Sequence, residues 1–563
     1  MTTPNTPMQN NDQFAKLILL TALLFGLMIR LAAPMSANGP VNDGGLFFQM
    51  TRDLQANHFA LPETTTYNNS GIPFVYPPLG FYLAGIIQSA LKISLLDIFT
   101  YLPAILSTLA ILAFYFLALQ FTQDALHASI AALFYSMIPK SFDWTIMGGG
   151  VTRAPALVFS FLALAFAYKL LKTKEPRNII PLSISASLLT LTHPEITFQT
   201  AFSVLILALF FLRDKKTFLH LLATAALTLA LTSPWWLTVL HRHGVAPFQA
   251  ALTAHPKDYA SSLLYLVQFN LSGEAILDIV AVLGFIGLLA DFRRRDFFLP
   301  AWIGLSFLSD PRAAPFASLT PLILLAVRGL DSTLNGLALP SPNESVFDSN
   351  FSRRVLLGLS AYLFLSGMIA SMQMGNQLRL LPEEREAFAW IRNNTPADSR
   401  FLVLTGDAAL SDPLSEWFPA LTERTSLVTA QGHEWTPELP LLESLRQYTH
   451  AQSCLNQDID CLSTWDFDYL YIRRERPNAE GGYDSQPSIL EQALRDSNEF
   501  VVVYDSDASI IFARVLQTLR VNGADVRGFG SGIHQVVEAV NQLAHARLAA
   551  EEFVERMFGV NHK

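Results

Sequence analysis

The sequence predicts a polytopic α-helical membrane protein of about eleven spans, followed by a small α/β domain on the far side of the membrane. Two observations about composition predict it. Of 563 residues, 51% are hydrophobic and only 15% charged, whereas soluble domains run near about 25% charged. The shortage is also uneven: residues 14 to about 374 carry long apolar runs, and the remainder reads as an ordinary soluble domain. The expected organisation is a membrane domain over 1–375, an α/β domain over 376–520 and a tail over 521–563. That tail carries an amphipathic pattern (Ile533, Val536, Val537, Val540, Leu543). The net charge of −9 gives no basic footprint for nucleic acid.

A span needs roughly 20 apolar residues. The first six candidates are Phe14–Pro34, Ile98–Phe121, Ala125–Pro139, Val151–Leu171, Ile179–Thr192 and Ile196–Leu212. They continue with Thr217–Leu240, Ala275–Asp291, Phe297–Leu308, Ala313–Leu330 and Val355–Met374. Basic loops stay in the cytoplasm. Those around Lys172–Arg177, Arg213–Lys216, Arg293–Arg295 and Arg328–Arg354 alternate with loops of another kind. The alternation holds if Pro78–Ile93 does not cross, which leaves an inner N-terminus and an outer C-terminal domain. The competing reading lets Pro78–Ile93 cross and drops one short candidate. Phe14–Pro34 reads as an uncleaved anchor, because its leader is weakly charged and its apolar run is long for a signal peptide.

Asp43 sits in VNDGGLFFQM, where the first span ends. The next stretch places Leu46, Phe47, Met50 and Leu54 on one helical side and Arg52 and Asp53 elsewhere, which suits an interfacial helix. Asp43 then has two readings that coexist: an N-cap for that helix, or a carboxylate held at the membrane surface for chemistry on a lipid-borne substrate. Pro77 and Pro78 suit the start of a helix, and Tyr76 and Tyr82 an interfacial aromatic belt.

Other ionisable groups fall at span ends on the same predicted side: Asp143 and Arg153, His193 and Glu195, Asp310 and Arg312. Taken singly, each has a bland account as a helix-end charge, a snorkelling side chain or a break at Pro194. Together they suggest a cavity, and outward arginines suggest anion binding. His241, His243 and His255 lie in one long loop without the partners of a zinc site. Gly148–Gly150 lacks the context of a phosphate-binding loop.

In the soluble part, strands are expected at Phe401–Leu404, Tyr469–Ile472, Phe500–Tyr504 and Ile510–Ala513, with helices over Glu383–Asn394 and Ser488–Leu494. No catalytic set is visible there. Cys454 and Cys461 form a disulfide if this part faces an oxidising compartment.

The layout resembles the C-type (GT-C) membrane glycosyltransferases, which include protein O-mannosyltransferases, aminoarabinose transferases and oligosaccharyltransferases. The resemblance rests on a first span, an outer loop with an early acid, an amphipathic helix, and Pro77-Pro78-Leu79-Gly80-Phe81-Tyr82. It implies a polyprenyl-phosphate sugar as donor, a glycan, lipid or protein acceptor, Asp43 at the catalytic centre and Asp143 assisting. By position, Arg153 or Arg312 would hold the donor phosphate, and Tyr76, His193 and Glu195 would contact substrate. Many members carry paired acids in the first loop, whereas Gly44 follows Asp43 here. No cofactor is required by this reading, and a divalent metal stays open. A transporter or flippase of lipid-linked sugars is the alternative, although the span centres carry almost no ionisable groups.

Overall fold

The structure is a computed structural model that describes residues 7–254, 259–260, 264, 271–310, 313–338, 346–436, 440–474, 476–477, 483–484 and 487–515. The candidates Arg312 and His255 and the predicted tail helix lie outside these residues. The first nine helices are α1 (Pro7–Ala37), α2 (Gly45–Ala56), α3 (Leu79–Leu91), α4 (Leu95–Thr122), α5 (Ala125–Met137), α6 (Gly150–Thr173), α7 (Ile179–Thr190), α8 (Pro194–Phe211) and α9 (Lys215–His243). Further long helices cover Ile279–Arg294, Phe298–Ser309, Leu319–Ala338 and Asn350–Gln377.

All eleven predicted span segments are helical. The segment predicted over Ala313–Leu330 is broken, with a short helix Ala314–Ala317 before Leu319–Ala338. Among the described residues, six helices are long and apolar enough to cross a membrane by length and composition. α3 has 13 residues, about 20 Å of helix against roughly 30 Å of hydrocarbon. Length does not separate it from α5, which also has 13.

α5 lies at the centre of the helical part. Eleven of its 13 residues are buried, because Ala128, Ser129, Ala131 and Ala132 let its neighbours approach closely. Arg30 of α1 is fully buried beside it. Its guanidinium donates to Ser107 Oγ at 2.9 Å, to the Ser136 carbonyl at 2.6 Å and to Ser141 Oγ at 3.2 Å. Those bonds tie α1, α4 and the end of α5 together, and a buried charge without them would be costly.

The C-terminal domain holds a five-stranded mixed sheet in the order β2-β1-β3-β7-β6. The strands are β1 (Arg400–Leu404), β2 (Thr425–Ser426), β3 (Tyr469–Arg473), β6 (Phe500–Asp505) and β7 (Ser509–Arg514), and a two-stranded ribbon pairs β4 (Arg476–Pro477) with β5 (Tyr483–Asp484). β1 runs parallel to β2 and β3, and β7 antiparallel to β3 and β6. The four strands expected from sequence are β1, β3, β7 and β6, adjacent in this sheet with β6 at its edge, and Cys454 and Cys461 are joined by a disulfide.

A second hydrophobic core runs from this domain into the first loop and includes Leu46, Phe48, Leu54, Phe99 and Trp417. The Trp417 ring lies 5.6 Å from that of Phe48 and 6.4 Å from that of Phe99. The helix α2, expected at the interface, also packs against the C-terminal domain. Asp53, expected on its polar side, is buried and accepts from Thr65 Oγ1 at 2.6 Å and from the Thr66 amide at 2.9 Å. Residues of the first loop itself take up Asp53, while the C-terminal domain sets Trp417 against Phe48 and Glu423 2.7 Å from Arg52.

Candidate active site

Asp43 does not cap α2. The N-cap is Gly44, at φ 122° and without a side-chain cap bond. The preceding Asn42 adopts φ 52°, a conformation Asn tolerates, and the turn sends the Asp43 side chain to the start of α6. There Asp43 Oδ1 accepts from the Gly149 amide at 2.9 Å, and Oδ2 forms an ion pair with Arg153 Nη2. The carboxylate therefore sits at the positive end of α6, where the helix dipole favours an anion.

Glycines make this approach feasible. A Cβ on Gly149 would stand 2.8 Å from Asp43 Oδ2 and 3.0 Å from Arg153 Nη2. A Cβ on Gly44 would stand 2.8 Å from the Gly148 backbone, at a φ that side chains rarely adopt. The Gly148 amide donates to the Val41 carbonyl at 2.9 Å. The triple glycine is thus the face against which the Asp43 loop docks.

Arg153 is held on three sides. Nη1 donates to the Trp144 carbonyl at 3.2 Å, Cζ lies 4.6 Å from the centre of the Trp144 ring, and Nη2 faces Asp43. Its Nε is buried with no hydrogen-bond partner. A guanidinium has five N–H donors, and the bonds from Nη1 and Nη2 leave the Nε–H among those not engaged by the protein.

Sequence reasoning missed Glu416. It comes from the Pro413–Thr422 helix of the C-terminal domain, is 7% exposed, and accepts from the Gly44 amide at 2.7 Å through Oε1. The adjacent Trp417 donates its indole N–H to the Asn42 carbonyl at 2.9 Å. Tyr67 donates to the Glu416 carbonyl at 2.7 Å. Burial, with Asp43 adding repulsion, pushes the Glu416 carboxyl up to about 8. The one sequence signal was an acid beside two aromatics in SEWFPAL, and only the tertiary fold sets it over the first loop.

The other candidates surround this centre without all meeting in it. Asp143 accepts from the Trp144 amide at 2.7 Å and faces Lys140 at 3.4 Å, and burial raises its carboxyl above the usual range. His193 is the N-cap of α8, accepting from the Ile196 amide at 3.3 Å, with Pro194 next. Its ring is edge-on to Trp144 and to Tyr76. Tyr76 is buried between Phe47, Phe81 and Trp435. Glu195 lines a separate cavity of about 70 Å³ behind Trp144. His241 and His243 belong to the last turn of α9. Among the described residues, no group of three His, Cys, Asp or Glu side chains is placed to hold a metal ion, and the counter-ion of Asp43 is an arginine.

A family described as "6-pyruvoyl-tetrahydropterin synthase related domain; membrane protein" matches residues 75–328, less than half of the chain and without Asp43. With that match and its apolar helices, the chain is a membrane protein. No curated protein matches the sequence. Solved structures do resemble it. ArnT from Cupriavidus metallidurans aligns at a TM-score of 0.56 and 14% identity in the apo state, covering 90% of this chain and 98% of that one. Its form bound to undecaprenyl phosphate aligns at 0.55 and 13% identity, over 89% and 98%. The apo oligosaccharyltransferase of Archaeoglobus fulgidus aligns at 0.51 and 14%, over 98% and 84%. The arabinofuranosyltransferase AftD from Mycobacteria aligns at 0.50 and 16%, over 88% of this chain and 40% of its own. The chain shares its overall fold with these ArnT and oligosaccharyltransferase structures.

Proposed function

We propose that this protein is a plasma-membrane glycosyltransferase that moves a sugar from a polyprenyl-phosphate carrier to an acceptor hydroxyl at the outer face, inverting the anomeric centre. One observation carries the reading: on a GT-C fold, a first-loop carboxylate is fixed beside an arginine that keeps a free N–H donor. The ArnT structure with undecaprenyl phosphate supports a lipid phosphate as the carrier.

Asp43 is the general base. A carboxylate has about four acceptor sites, so bonds to Gly149 and Arg153 leave room for an acceptor hydroxyl. As the acceptor oxygen attacks the anomeric carbon, its proton passes to Asp43, and the carbon–oxygen bond to the phosphate breaks from the opposite side. The leaving group departs as polyprenyl phosphate and needs no added proton. Arg153 stabilises the charge that develops there, and its bond to Asp43 fixes both groups in advance. Asp143 assists through its place beside Trp144, and Glu416 holds the Gly44 amide and hence the orientation of Asp43. In this reading the N-terminus is cytoplasmic and the C-terminal domain lies outside. The mechanism takes no step through a metal.

The test is transfer from a panel of radiolabelled undecaprenyl-phosphate hexoses and pentoses to membrane acceptors, wild type beside Asp43→Asn. General-base catalysis is typically worth about 10²–10⁴-fold, so the variant should lose transfer by that factor while still folding. Wild-type protein that carries lipid-linked sugar across vesicles without breaking the sugar–phosphate bond would establish the transporter reading instead.

A further inference from the structure

The cavity behind Trp144 has a lining that a lipid chain alone does not explain. Lys140, Trp144, Glu195 and Phe316 line part of it, with Trp302 and Gln199 among the other lining residues. Gln199 is 8% exposed, and neither its amide nitrogen nor its amide oxygen has a hydrogen-bond partner. It stands five residues after the first residue of α8, about 7 Å along the helix. Beside it, Ser160 and Thr200 bond to each other at 2.7 Å across α6 and α8, and Ser203 accepts from the Trp302 indole at 3.1 Å.

A buried amide with both ends unpaired is destabilising by its lost hydration. An isoprenoid or acyl chain would leave that loss uncorrected. A polyhydroxylated ring corrects it, because each hydroxyl both donates and accepts, while its C–H face suits the aromatic rings of Trp144 and Phe316. We propose that this cavity is a glycosyl-binding site in which Gln199 reads ring hydroxyls. The inference rests on the glycosyltransferase reading and adds to it the residue that selects the sugar. Trp144 connects the two places: its ring lines the cavity and lies against Arg153.

Two sources could supply such a ring, the lipid-linked donor or a glycan acceptor, and binding separates them. Full-length protein in nanodiscs is titrated with undecaprenyl phosphate, with its hexosyl and pentosyl derivatives, and with free oligosaccharides, for wild type and Gln199→Met. Because the wild-type amide has no protein partner, the variant should unfold at the same temperature or higher. At least one glycosyl lipid should bind wild type tighter than the bare carrier, and Gln199→Met should weaken that preference roughly tenfold, the weight of one or two net hydrogen bonds. If the tenfold loss falls on a free oligosaccharide instead, the ring is the acceptor's. Gln199→Met that lowers the unfolding temperature and leaves every affinity unchanged overturns the site while the glycosyltransferase reading stands. Wild type that binds neither the bare carrier nor its glycosides overturns that reading itself.

Discussion

Two buried arginine–carboxylate clusters can be compared within this molecule. In the C-terminal domain, Arg473 lies 2.6 Å from Glu384 through Nε and 2.6 Å from Asp407 through Nη1, and is 4% exposed. Glu384 also accepts from the Leu381 amide at 2.8 Å, so the cluster fastens the Pro382–Asn394 helix to the sheet. At the first loop, Arg153 faces Asp43, with side-chain exposures of 11% and 18%. The ingredients are the same. The first cluster is shut inside a domain with its arginine between two carboxylates, while the second pairs its arginine with one carboxylate, is lined by glycine backbone and lies beside a cavity that shares Trp144 with it. Charge and burial therefore do not single out the proposed site by themselves; a lone carboxylate partner docked on glycine backbone beside a cavity does.

The Asp43→Asn loss sets the upper scale for breaking this comparison. Next comes Gly149→Ala, which removes no charge but pushes a methyl between Asp43 and Arg153. Displacement near 1 Å can cost roughly 10²-fold, so transfer should fall by about that factor while the C-terminal domain unfolds as before. Unchanged transfer would mean that the pair needs no fixed geometry. Arg473→Met should behave in the opposite way. Leaving buried carboxylates without their partner costs about 3–5 kcal/mol, read by limited proteolysis of the C-terminal domain, and transfer per folded molecule should persist. A variant that stays folded but loses transfer would erase the distinction between the clusters.

Replacing Cys454 and Cys461 by serine opens a loop with a sequence separation of 7. The entropy model gives about 2 kcal/mol for so short a loop, visible as a lower unfolding temperature without reductant. The smallest effect is pH dependence. Burial raises the carboxyls of Glu384 to about 7, Asp407 to about 6 and Glu416 to about 8. A raised carboxyl pKa means that the folded form keeps its proton to higher pH than the unfolded chain. Their contribution to stability is therefore full below about pH 4 and is lost as pH rises through about 6 to 8. Glu416→Gln should make that decline shallower and end it nearer pH 7, read as unfolding temperature against pH. A decline identical in wild type and variant would take Glu416 out of the titrating set.

The sequence determined the helical segments, the strand core of the C-terminal domain and the acid that ends the first span. Apolar run length and two-residue alternation are local properties, so Leu95–Thr122 and Tyr469–Arg473 fall close to where those patterns placed them. The tertiary structure decided whom Asp43 meets. Local pattern offered it the cap of α2, but contact with Gly149 and Arg153, more than 100 residues away, took that carboxylate to α6. It also decided that Glu416, separated from Gly44 by 372 residues, closes over the same loop. The physical reason is the same in both cases: hydrogen bonds and ion pairs between distant segments depend on how helices and domains dock, and no short window of sequence encodes that docking.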